Sequence, residues 1–154
     1  MRVFLLSTFL FLIPMAYADD FTDVTVVRNY DGDTFTVDLK GLPPVFGEHI
    51  TVRVKGLDTP EMHASRMCER TAAYSAQKFL EGLLKGAKVQ LLNCERDKYF
   101  RLLCTVKAGD ADVTDRLLKN GLAVVYNGET KKKWDCNKKK TWLLDSPPAL
   151  EVVP

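Results

Sequence analysis

Asp33 and Asp58 each stand beside a threonine at a strand or turn end, in the segments Asp31-Gly32-Asp33-Thr34 and Leu57-Asp58-Thr59-Pro60-Glu61. Two hard oxygen ligands meeting at one point would suit Ca²⁺ or Mg²⁺ rather than Zn²⁺. Taken singly, each aspartate has a plainer role as a turn cap. Glu61 follows Pro60, whose fixed φ stiffens the loop and sets where the carboxylate points. Beside a bound cation such a carboxylate can orient or deprotonate a water; alone it is ordinary surface. Arg53 falls within a strand-like run and Arg101 begins another. A guanidinium can grip two phosphate oxygens and neutralise charge building up in a pentacoordinate transition state. A single strand arginine can equally be an edge charge that blocks aggregation.

These groups must be held by a small set of elements. Asp23 to Leu39 alternates in strand fashion, with Asp31-Gly32-Asp33 interrupting it as a turn. Gly41-Leu42-Pro43-Pro44 breaks the chain, and a further strand is expected from Ile50 to Leu57. Residues 69 to 86 carry one apolar stripe at helical spacing (Ala72, Ala73, Ala76, Phe79, Leu80, Leu83, Leu84), stopped by Gly86. Strands are expected over 88–94 and 101–107, joined by a tight polar connection, then a short helix from Val113 to Asn120 capped by Gly121. Five short strands with a helix after the third is the order of an OB-type Greek-key barrel. The expected class is α+β, mainly β, with two or three packed helices; periodicity alone leaves other α+β arrangements open.

A chain of 154 residues allows one small domain, and its composition is neither collagen-like nor disordered. Residues 1–18 read as a cleavable signal peptide: Arg2, an uncharged run to Tyr17, then Ala16-Tyr17-Ala18 before Asp19. The run is shorter than the roughly 20 residues of a spanning helix. The expected organisation is leader 1–18, domain 19–136 and tail 137–154, with the mature chain secreted or periplasmic, off the membrane and monomeric. All four cysteines lie in the mature part, and an even count in an oxidising compartment makes two disulfides the expectation. No CxxC pair exists, which argues against zinc. Net charge is only +2, but Lys131-Lys132-Lys133 and Lys138-Lys139-Lys140 bracket Trp134 and Cys136. That patch suits a polyanion, or is a solvated tail.

In order and spacing, Tyr30-Asp31-Gly32-Asp33-Thr34, Val52-Arg53-Val54 leading into Leu57-Asp58-Thr59-Pro60-Glu61, Asp97-Lys98-Tyr99-Phe100-Arg101 and Asn120-Gly121-Leu122-Ala123 resemble the staphylococcal nuclease family. The resemblance spans roughly residues 23 to 126. It implies an OB-type barrel and Ca²⁺ held by Asp33, Asp58 and the carbonyl of Thr59. It implies that Glu61 handles the attacking water, Arg53 and Arg101 bind the scissile phosphate, and Lys98 and Tyr99 line the nucleotide site. The family hydrolyses the bond between phosphorus and the 5′ oxygen in DNA and RNA, leaving 3′-phosphates. An alternative is a nucleic-acid-binding OB module without catalysis; another is an exported binding domain with Trp134 and Trp142 as stacking surfaces.

One departure bears on these readings. The family usually has glycine where this chain has Phe100, whose ring would narrow or line the site, or mark a changed loop. By resemblance to exported bacterial relatives, Cys68 pairs with Cys136. A hairpin centred on Tyr99 would put Cys94 opposite Cys104, within cross-strand reach. Arg101 and Cys104 would then face opposite sides of a regular strand.

Overall fold

The computed structural model describes residues 19–131 and 133–136. Residues 1–18, expected to be a leader, Lys132, and residues 137–154, expected to be a tail, with the second lysine run and Trp142, lie outside the described residues. The elements in chain order are β1 (Asp19–Phe21), β2 (Val24–Asn29), β3 (Thr34–Leu39), α1 (Pro44–Gly47), β4 (Ile50–Val54) and β5 (Leu57–Asp58), then α2 (Met67–Leu84), β6 (Val89–Arg96), β7 (Leu102–Ala108), β8 (Ala111–Asp112), α3 (Val113–Lys119) and β9 (Val124–Val125).

Strand alternation builds the core. Phe35, Val37 and Leu39 of β3, Val52 and Val54 of β4, and Leu102, Cys104, Val106 and Ala108 of β7 point inward and are buried. The main sheet runs β1-β6-β7-β4-β3-β2, with β8 on β7. The β4–β7 pair is parallel and its neighbours are antiparallel. β2 returns to within contact of β6, so the sheet curls toward closure. The five long strands and their crossover are those of an OB-type α+β fold, and three helices complete it. α2 lays Ala72, Ala73, Ala76, Leu80 and Leu84 against the core. α3 contributes Val113 and Leu117, with Asp112 capping its start by accepting from the amide of Asp115.

Where the elements depart from the sequence expectation, the reasons are local. The strand expected from Ile50 to Leu57 is two pieces, because Gly56 turns at φ 83°. Leu57 and Asp58 then pair with Val125 and Val124 in a separate two-stranded ribbon. α2 begins at Met67 and ends at Leu84, with Gly86 (φ 72°) two residues beyond. The β6–β7 hairpin keeps its centre near Tyr99 only beyond a bulge at Asn93, where φ is 51°.

Two disulfides are present, Cys68–Cys136 and Cys94–Cys104, with Cα separations of 5.9 and 4.3 Å. The first closes a loop of 68 residues. On the chain-entropy account that loop is worth about 4 kcal/mol, against about 3 kcal/mol for a ten-residue one. The Cys68→Ser/Cys136→Ser variant is therefore expected to lose about 4 kcal/mol of unfolding free energy in urea titrations. An unchanged midpoint at unchanged slope would refute this.

Candidate active site

The Asp31–Thr34 turn is built to present one carboxylate. The amides of Tyr30 and Asp31 both donate to the carbonyl of Thr34, at 2.9 and 3.2 Å. The side chain of Asp31 accepts from the amide of Asp33 at 3.0 Å and so closes the turn upon itself. Gly32 sits where a Cβ would lie 2.7 Å from Cβ of Ala76 and 2.9 Å from Cβ of Thr59. The turn is thus wedged between α2 and the loop after β5. Glycine is required there for space, and alanine at position 76 for the same reason.

Asp33 and Asp58 converge on one guanidinium. Arg53 Nη1 donates to Asp33 Oδ1 at 2.6 Å, and Nη2 donates to Asp58 Oδ1 at 2.8 Å. The hydroxyl of Thr34 donates to Asp33 Oδ1 at 2.9 Å. The amide and hydroxyl of Thr59 donate to Asp33 Oδ2 at 3.1 and 3.0 Å. Asp58 Oδ1 also meets Lys131 Nζ at 2.9 Å, and the same ammonium reaches Glu61 Oε1 at 2.5 Å. One continuous ionic chain results: Asp33, Arg53, Asp58, Lys131, Glu61. Asp33, Asp58 and Thr59 are buried, while Glu61 is exposed.

The electrostatics follow from that burial. Burial pushes the Asp33 carboxyl up to about 6; Arg53 opposes the shift, while Asp31 and Asp58 add to it. Burial works against the Arg53 charge too, but Asp33 and Asp58 outweigh it and hold its pKa above the ordinary value. Lys131 is likewise raised: its desolvation is outweighed by Glu61 and Asp58. Two buried aspartates converging on one cationic group are a donor set that a divalent cation fits by charge and by oxygen chemistry. Among the described residues no cluster of three or more His, Cys, Asp or Glu forms, so carbonyls and water would complete such a shell.

Lys98, Tyr99 and Arg101 form a second group on the β6–β7 hairpin. Asp97 organises it, accepting from the amides of Tyr99 (2.8 Å) and Arg101 (3.0 Å) and from Arg101 Nε (2.7 Å). Its own burial is outweighed by these bonds, which hold its carboxyl below the usual range. The Tyr99 ring lies 5.1 Å from Lys98 Nζ and 5.3 Å from the Arg101 guanidinium carbon, within cation–π range. Val52 pairs with Leu102 and Arg53 with Leu103 in the parallel β4–β7 ladder. Arg101 stands just before β7, so strand alternation carried back one residue puts it on the same side as Arg53, away from the core and about 7 Å out of step along the ladder. Cys104 is buried on the other face. Among the described residues, no hydrogen bond or ion pair joins the two groups.

Phe100 adopts φ 63°, the left-handed region that favours glycine, and its side chain is among the exposed hydrophobics at 82%. The ring faces solvent and does not fill the site. The left-handed conformation costs roughly 1–2 kcal/mol for a non-glycine residue, and glycine's extra unfolded freedom offsets roughly half of it. Phe100→Gly is accordingly expected to raise the melting temperature by about 2–4 °C, read by calorimetry. A lower melting temperature would mean that the ring contributes packing not evident here.

The sequence-derived residues thus fall into two sets. Asp33, Arg53, Asp58, Thr59 and Glu61 are brought together, and Lys98, Tyr99 and Arg101 stand as a neighbouring group. Two participants were not singled out from sequence. Asp97 had a signal in the tight connection before Arg101. Lys131 was legible only as one lysine of a run; nothing local marks it off from Lys132 and Lys133.

Comparison with known proteins places these features. Residues 51–144 match the family described as staphylococcal nuclease homologue. The chain is 36% identical over 118 residues to the SPbeta prophage-derived endonuclease YokF of Bacillus subtilis (strain 168), covering 73% of this chain and 38% of that protein. It is 36% identical to endonuclease YncB of the same organism, covering 71% of this chain and 52% of that protein. To the thermonuclease of Staphylococcus hyicus it is 33% identical, covering 64% and 56%. The chain therefore spans about half or less of the first two relatives. The match takes in β4 with Arg53, the loop with Asp58 and Glu61, α2 and the hairpin with Arg101. On that match and the OB-type sheet beneath it, this chain belongs to the staphylococcal nuclease homologue family.

Proposed function

We propose that the chain is an exported, calcium-dependent nuclease that hydrolyses phosphodiester bonds of DNA and RNA and leaves 3′-phosphate ends. The observation that carries this reading is the convergence of buried Asp33 and Asp58 on Arg53, with Glu61 linked to the same cluster through Lys131. The relatives' names, endonuclease and thermonuclease, point to the same chemistry.

Asp33, Asp58 and the carbonyl of Thr59 would hold Ca²⁺, which when bound supplies Lewis-acid stabilisation of phosphate charge. The protein's own residues do the rest. Glu61 orients a water and takes its proton. The water oxygen bonds to phosphorus, the bond from phosphorus to the 5′ oxygen breaks, that oxygen takes a proton from solvent water and leaves as the 5′-hydroxyl, and Glu61 returns its proton to solvent. Arg53 and Arg101, on the same side of the sheet, bind the phosphate oxygens and neutralise the charge that builds there. Lys98 and the exposed Tyr99 ring take an adjacent phosphate and the nucleotide ring. Phe100, whose ring points to solvent, gives no support to a module that has lost catalysis. The expected leader and the two disulfides fit an exported protein, which would act off the membrane as a monomer.

Calcium binding is testable without turnover. Ca²⁺ is expected to raise the melting temperature of the mature chain and to leave Asp33→Asn/Asp58→Asn unmoved. Digested DNA should carry ends that phosphatase must treat before 3′ extension. Equal calcium shifts in both proteins, or ends extended without phosphatase, would contradict the proposal.

A further inference from the structure

The segment from Tyr126 to Cys136 is fastened at both ends to the elements that carry the site. At its start, Leu57 and Asp58 pair with β9, and the amide of Tyr126 donates to the carbonyl of Gly56. At its end, Cys136 is bonded to Cys68, and Arg66 Nη2 donates to the carbonyl of Trp134 at 2.6 Å. The strap therefore crosses the loop between Asp58 and α2, the loop on which Glu61 sits. Lys131 lies between the two fastenings and reaches down to Asp58 and Glu61.

Glu61 needs such a contact. Its side chain is 61% exposed, so packing does not hold the carboxylate, and Pro60 before it constrains only the backbone. The ion pair with Lys131 is the contact that holds the carboxylate. Lys131 is in turn anchored on Asp58 Oδ1, which is buried and held by Arg53. The ammonium thus ties an exposed carboxylate to a buried one.

We infer that Lys131 is a positioning residue for Glu61, and that the Cys68–Cys136 bridge acts on catalysis by holding Lys131 in place. This rests on the proposed role of Glu61 as the group that handles the attacking water. A half-exposed ion pair adds little to folding, so the inference separates rate from stability. A misplaced catalytic group costs about tenfold to hundredfold in rate.

The test uses the full mature chain with both disulfides formed. Lys131→Ala is expected to lower kcat about tenfold to hundredfold with KM within about threefold. Its melting temperature in chelator should stay within about 2 °C of the parent. Its affinity for a single-stranded oligonucleotide in chelator, by fluorescence anisotropy, should change less than about threefold. Lys131→Arg, which can still bridge two carboxylates, should recover most of the rate. Cys68→Ser/Cys136→Ser, assayed well below its melting temperature, should lose a similar factor, and adding Lys131→Ala to it should cost little more. An unchanged or raised kcat in Lys131→Ala, or fully additive losses, would overturn the inference. Glu61→Ala in the same assay separates the two claims. If it stays active, the role of Glu61 fails; if it is inactive while Lys131→Ala is fully active, only the present inference fails.

Discussion

Arg53→Met is expected to destabilise the protein in chelator by about 3–5 kcal/mol, the cost of breaking a buried ion pair by removing one partner. The side chains of Asp33 and Asp58 are only 3% and 11% exposed, and both bind this one guanidinium. Methionine fills much of the volume but leaves Asp33 without a cation and Asp58 with only the half-exposed Lys131. Asp33 is already pushed up to about 6 with Arg53 in place, burial being the main cause. The loss corresponds to a fall in melting temperature of roughly 12–20 °C. Calcium should restore part of it, since it would satisfy the same oxygens and binds only the folded chain. Activity should fall by about 10²–10³, the cost of removing one preorganised donor to a charged transition state. Arg53→Lys should lie between, because one ammonium cannot present a planar fork to two carboxylates. A melting temperature for Arg53→Met in chelator within about 2 °C of the parent would show that the guanidinium does not hold the cluster.

Gly32→Ala is expected to damage the site without touching a catalytic group. The new Cβ would meet Ala76 Cβ at 2.7 Å and both Cβ and Cγ2 of Thr59 at 2.9 Å. None of these atoms is the far end of a flexible side chain, so the turn or the loop must shift. Overpacking of this kind costs about 1–3 kcal/mol. The shift falls directly on Asp33, next in sequence, and on Thr59, whose amide and hydroxyl hold Asp33 Oδ2. A misplacement of about 1 Å can cost 10²-fold in rate. The expected result is a folded protein with a modestly lower melting temperature and kcat reduced about a hundredfold. The companion Gly32→Ala/Ala76→Gly relieves the shorter contact and should regain some of the rate. Wild-type kcat in Gly32→Ala would show that the turn has slack which the packing does not suggest.

Much of this arrangement could be read from sequence because its signals are periodic or carried by special residues. Alternation along β3 and β7 separated core from outward positions, and it put Arg101 and Cys104 on opposite faces before any coordinates. The alanine-rich stripe marked the side of α2 that lies against the DGDT turn. Features without periodicity were not legible. β1 and α1 are too short to carry a pattern, and the β5–β9 ribbon is two residues a side, joining Leu57 and Asp58 to Val125 and Val124 far along the chain. The bulge at Asn93 uses a residue that tolerates its φ of 51°, but one asparagine in a strand does not by itself mark a bulge. Phe100 stood out in sequence as a departure from the family, but the reason glycine suits the position is a φ of 63°. Lys131 was hidden because it lies 70 residues from Glu61 in the chain and meets it only through the pairing across the fold.

The proposed activity has Glu61, Arg53 and Arg101 acting on one phosphodiester beside a calcium that Asp33 and Asp58 would hold. Its most direct test is cleavage of single-stranded DNA by the mature chain from Asp19, disulfides intact, in Ca²⁺ or in chelator, beside Glu61→Ala and Arg101→Ala. The expected result is cleavage by the unmutated protein in Ca²⁺ and none in chelator, with each variant still folded and slower by about two orders of magnitude or more. Cleavage that survives chelator or both substitutions would contradict it, as would oligonucleotide binding without any cleavage in Ca²⁺.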